Sequence, residues 1–115
     1  NVFAAGDFNT TSTEDAAEGL LDAFVRPHWI VSNDLCDGCP GTHYYSRDDR
    51  WSFLDMVIFA PSNSPGSAWT VTSNDIANPI PAQVTEEGTP NRYRSAERTG
   101  VSDHWPVIMT LEKRP

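Results

Sequence analysis

The longest unbroken apolar run in the sequence is Met56-Val57-Ile58-Phe59-Ala60, and its brevity limits what the chain can build. A membrane-crossing helix needs about 20 such residues, so a span of that kind is excluded. A short apolar run rich in β-branched and aromatic residues fits a strand covered on both faces. It is expected to be the central strand, entered through Trp51-Ser52-Phe53-Leu54-Asp55.

The remaining segments arrange themselves around that strand. Val2–Phe8 reads as a second strand buried on both faces, delivering Asp7 and Asn9 at its end. Thr11-x-x-Glu14 or Ser12-x-x-Asp15 can form a capping box, and Ala17, Leu20, Leu21 and Phe24 then follow as one helical apolar stripe. That helix should stop near Val25, because Pro27 cannot continue it. His28–Ser32 carries a weak strand signal, and residues 33–42 read as a loop. His43–Ser46 and Ser52–Ala60 are expected to form a hairpin through the charged turn Arg47-Asp48-Asp49-Arg50. Pro61–Ser67 is a turn-rich break, Trp69–Thr72 is β-prone, and residues 78–99 form a long polar loop containing three prolines. Trp105–Leu111 is the last expected strand, with Val107, Met109 and Leu111 on one face. Trp29, Trp51, Trp69 and Trp105 all fall in apolar segments and are expected to pack in the core or on sheets. The expected fold is α/β, a mixed but mainly antiparallel sheet of about five or six strands with one helix on a face.

Size and charge narrow the function. The chain has 115 residues and a formal net charge of −8, which fits one acidic domain. Such a balance argues against holding nucleic acid through the protein's own field, since that rests on Lys and Arg neutralising phosphates. It leaves room for a phosphate-handling site, because carboxylates bind hard cations that reverse the local charge. Cys36 and Cys39 admit three readings: a small-loop disulfide in an exported protein, free thiols, or a metal site that also uses His43.

Three segments carry the chemistry: Gly6-Asp7-Phe8-Asn9, Leu54-Asp55-Met56-Val57, and Ser102-Asp103-His104-Trp105-Pro106-Val107. Each places an acid, an amide or an imidazole at a strand end, where side chains from separate strands can meet in one cleft. A His beside a carboxylate is held in one tautomer and can move a proton or face a phosphoryl oxygen.

At these residues the sequence resembles the C-terminal half of the endonuclease/exonuclease/phosphatase superfamily, metal-dependent phosphoesterases with a DNase I-like fold. Three motifs in the family's order, spread from residue 6 to residue 107, carry the resemblance. It implies that Asp7 polarises the attacking water, and that Asn9 hydrogen-bonds the phosphate and helps place Asp7. His104 would stabilise the transition state or transfer a proton, with Asp55 holding its far nitrogen. Asp103, together with Asp7, would attend a catalytic Mg²⁺ or Mn²⁺. Substrates of the family include nucleic acids, phospholipids and sugar phosphates. Arg92 and Arg94, close to Tyr93 and Arg98, are candidates for substrate phosphate, because guanidinium binds phosphate bidentately.

The resemblance also implies that residues 1–115 form half of a four-layer α/β sandwich, lacking the N-terminal half that supplies a metal-binding Glu. The chain alone is then expected to be nearly inactive and to bind Mg²⁺ weakly. A sheet face left uncovered would favour a homodimer through like faces. The competing expectation is a non-catalytic half-domain that serves as a binding or assembly module.

Overall fold

The apolar run at 56–60 is the middle of the fold's principal sheet in a computed structural model that describes residues 1–62, 66 and 68–114. The strands are β1 (Val2–Asp7), β2 (Ile30–Val31), β3 (His43–Tyr45), β4 (Arg50–Ser52), β5 (Asp55–Ala60), β6 (Trp69–Ile76) and β7 (Val107–Lys113). Two short helices, α1 (Ser12–Glu18) and α2 (Leu20–Phe24), lie between β1 and β2. Strand β5 sits between β1 and β2, antiparallel to both, as its composition leads one to expect. The other sheets are the hairpin β3-β4 and the pair β6-β7, also antiparallel. The fold is therefore a mixture of short helices and antiparallel strands.

Several details differ from the sequence expectation. Among the described residues, the single sheet of five or six strands is replaced by three small ones. Phe53 and Leu54 interrupt the expected strand Ser52–Ala60, so that its first residue belongs to β4 and the rest to β5. One helix becomes two, because Gly19 adopts a left-handed conformation (φ 64°) that ends α1. Beyond the break the stripe no longer faces one surface. Leu21 is buried, whereas Phe24 is 75% exposed. The N-terminal signal holds: Thr11 accepts from the Glu14 amide, and the Glu14 carboxylate accepts from the Thr11 amide. Most of the turn-rich break expected over 61–67 lies outside the described residues.

Alternation along β5 sorts its side chains. Met56 and Ile58 join Leu21 and Val31 in the main apolar cluster, with Val25 and Trp29 packed against it. Asp55, Val57 and Phe59 fall on the opposite face by the two-residue period. Strand β1, expected to be buried on both faces, is exposed along its whole length, with Val2 at 58% and Phe3 at 69%. It is an edge strand: β5 covers one side, and among the described residues no strand pairs with the other. The radius of gyration of 16.0 Å exceeds the roughly 13 Å of a compact domain near this length. Of the tryptophans, Trp105 is buried and Trp51 lies against it, whereas Trp69 at 38% exposure departs from the expected packing.

The pieces are tied together by polar side chains. Arg26, just past α2, makes two hydrogen bonds to Asp34 and one to Asp22, fastening the helix to the 3-10 turn at Ser32–Leu35. Ser32, fully buried, accepts from the Val57 amide of β5. Cys36 and Cys39 are joined by a disulfide, which removes the free-thiol and metal readings of that pair.

Candidate metal and phosphate site

Antiparallel pairing of β1 with β5 places Asp7 directly opposite Asp55. The Phe8 amide donates to the Leu54 carbonyl oxygen at 2.8 Å, so the adjacent Asp7–Asp55 pair belongs to the type whose side chains approach most closely. Two carboxylates facing each other across a ladder repel. The arrangement therefore calls for positive charge at the start of β5, beside the end of β1.

The segment before β7 brings an imidazole to that position. His104 Nδ1 lies 2.7 Å from Asp55 Oδ2. An ionised carboxylate can only accept, so Nδ1 carries the hydrogen and Nε2 is the nitrogen left for substrate or metal. His104 is held from behind as well, since its amide donates to Ser102 Oγ at 3.0 Å. Ligand atoms of Asp7, Asp55 and His104 all lie within 4.8 Å of one another. Two carboxylates with an imidazole beside them could hold a divalent cation completed by water.

Asp7 and Asn9 form a local unit. The Asn9 amide donates to Asp7 Oδ1 at 2.8 Å, and Asn9 sits at φ 52°. Asn is one of the few residues that tolerates this left-handed conformation. The bond fixes the Asp7 carboxylate through one oxygen and leaves the other for the site. The Asx turn and the site geometry are thus the same structure.

The remaining expected site residues lie apart from this trio. Asp103, expected as a cation ligand, is exposed and is not among the three converging residues. It lines a neighbouring open cleft of about 920 Å³ together with Arg92 and Arg94. Arg94 is engaged by Glu97 at 2.8 Å. A smaller cavity of about 220 Å³ is lined by Asp55 and His104 together with Gln83 and Trp105.

His43 is the residue that motif reading assigned elsewhere. It stands in β3, and its ring lies 4.7 Å from the His104 ring, with a backbone bridge between the two residues. Burial, and then the neighbouring His104, hold its imidazole below the ordinary value, against a weaker opposite pull from Asp103, Asp55 and Asp7. A neutral ring packed beside His104 limits where that side chain can turn. The signal was present as a His inside a β-prone segment, but nothing local linked it to residue 104.

No protein-family model, curated protein or solved structure matches the chain.

Proposed function

We propose that the chain carries the catalytic core of a metal-dependent phosphoesterase, which hydrolyses a phosphodiester or phosphomonoester by in-line attack of water. The observation that carries this reading is the convergence of Asp7, Asp55 and His104 from three separate segments, with His104 bonded to Asp55. In this reading Asp7, fixed by the Asn9 amide, orients and polarises the water through its free oxygen. Asp55 holds the His104 imidazole so that Nε2 faces the phosphoryl group, where the ring, when it carries a proton on both nitrogens, stabilises charge or donates the Nε2 proton. Asn9 and the arginines of the adjacent cleft, Arg92 and Arg94, would bind phosphate oxygens. Asp7 and Asp55 would hold Mg²⁺ or Mn²⁺ with His104 beside them, and Asp103 would act from the cleft. When bound, the cation supplies charge to offset that on the phosphate oxygens.

The sheet β1-β5-β2 is taken as one layer of a DNase I-like sandwich, with the exposed face of β1 turned towards a second sheet or a second copy. That exposed face also supports the alternative of a binding or assembly module. The Cys36–Cys39 disulfide supports an oxidising, exported setting.

Manganese-induced line broadening in the ¹⁵N-labelled chain tests the reading. Broadening is expected to centre on Asp7, Asp55 and His104, and Asp7→Asn should abolish it there. Broadening spread evenly over the surface acids, with no focus on these residues, would falsify the proposal.

A further inference from the structure

Thr42 is completely buried and stands between the segment that bears Asp55 and the one that bears His104. Its hydroxyl oxygen accepts from the Leu54 amide and from the Asp55 amide, each at 3.1 Å. Its carbonyl oxygen accepts from the Trp105 amide at 2.8 Å, and its own amide donates to the Ser52 carbonyl oxygen at 2.9 Å. One residue thus grips the backbone of Asp55, the residue after His104, and the end of β4.

Two consecutive amides reaching one oxygen is not strand geometry, because successive N–H groups along a strand point to opposite edges. The chain must bend at Leu54–Asp55, and the bend separates β4 from β5 and sets the direction in which Asp55 leaves the backbone. Close approach at this point is secured by Gly41, where an added Cβ would lie 2.8 Å from the Ser52 carbonyl oxygen.

From this we infer that Thr42 is a positioning residue that couples Asp55 to His104, its hydroxyl orienting the acid and its carbonyl anchoring the segment that bears the imidazole. The inference rests on the reading of Asp55 and His104 as a working pair. It goes beyond that reading by assigning the geometry of the pair to a residue that touches neither substrate nor metal. Thr and Val are nearly isosteric, but the hydroxyl makes them different inside a protein. Without it, the Leu54 and Asp55 amides lose their acceptor while the Trp105 bond remains.

The test is the His104 Nδ1 proton in ¹⁵N-labelled full chain, whose exchange with water reports the bond to Asp55 without any turnover. In Thr42→Val that exchange is expected to accelerate by roughly tenfold, the factor matching the net worth of one hydrogen bond, while the amide spectrum stays dispersed. In Thr42→Ser, which restores the hydroxyl, exchange should return to that of the unaltered chain. Unchanged exchange in Thr42→Val, or accelerated exchange in Thr42→Ser, overturns the inference. Should Thr42→Val fail to fold, native exchange in the unaltered chain decides. The Leu54, Asp55 and Trp105 amides and the His104 ring proton must then open together with one urea dependence, and separate opening overturns the coupling. A failure of the phosphoesterase reading would be seen in hydrolysis and metal binding and would leave these exchange rates untouched.

Discussion

His104 and Asp55 stand 49 positions apart in sequence, yet their side chains meet at 2.7 Å beside Asp7. Both are partly shielded, at 28% and 22% side-chain exposure, so the bond is only partly open to solvent. The pair draws its members from the start of β5 and from the segment just before β7.

In any form of the protein that hydrolyses phosphoesters, His104→Ala should lower kcat by about 10²–10⁴-fold, the range for removing a positioned acid–base group. Asp55→Asn should also lower kcat, because an amide no longer favours a charged or correctly oriented imidazole. Steady-state hydrolysis of bis-p-nitrophenyl phosphate measures both. Undiminished turnover in either variant would remove that residue from the mechanism.

Stability should follow burial on β5 and not the apolar stripe of the helical segment. Ile58→Ala, emptying a site in the main cluster, should cost about 2–5 kcal/mol. Phe24→Ala, at a side chain largely in solvent, should stay within about 0.5 kcal/mol. Urea denaturation of the two variants against the unaltered chain measures the difference, and equal losses would contradict the assignment of the core.

The cap of α1 makes its stability depend on pH. Hydrogen bonds from the Thr11 amide and hydroxyl lower the Glu14 pKa below its ordinary value of 4.5. The folded state therefore holds the proton less readily than the unfolded chain. The contribution is fully present above pH 4.5 and is lost as the pH falls through the lower, folded value. Far-ultraviolet circular dichroism should show helical signal declining in that acid window, with a smaller decline in Glu14→Gln. An identical acid profile in that variant would assign the loss to other groups.

Cys36 and Cys39 are disulfide-bonded, and among the described residues there is no free cysteine. Thiol titration of the denatured chain should find none before reductant and both afterwards. Reduction should loosen the segment after the 3-10 turn at Ser32–Leu35 while leaving the β1–β5 pairing intact, as amide exchange can resolve. Reactive thiols in the untreated chain would return the pair to the free-thiol reading.

Features coded by neighbouring residues were legible in the sequence. The Thr11–Glu14 box, the turn between His43 and Ser52, the central position of residues 56–60 and the alternating face of Val107, Met109 and Leu111 all follow from short-range pattern. Burial of β1 was not legible, because Val-Phe-Ala-Ala has the same composition whether a second layer covers it or not. The helix break was hidden because apolar residues keep a helical period across Gly19, although the backbone does not. In the site, the acids, the amide and His104 could be singled out by type and place. The closeness of His43, the separation of Asp103 from the converging trio and the grip of Thr42 depend on contacts between distant segments, and these leave no local periodicity.

The opposition of Asp7 and Asp55 is a matter of counting residues along two strands. Moving either strand by one place would send one carboxylate to the other side of the sheet. Insertion or deletion of a single residue within Val2–Asp7 or Asp55–Ala60 would therefore scatter the trio even if every side chain in it were retained. Across descendants of this chain, length should be guarded in these two strands, whereas the polar stretch between Asn78 and Thr99 can grow or shrink at its turns.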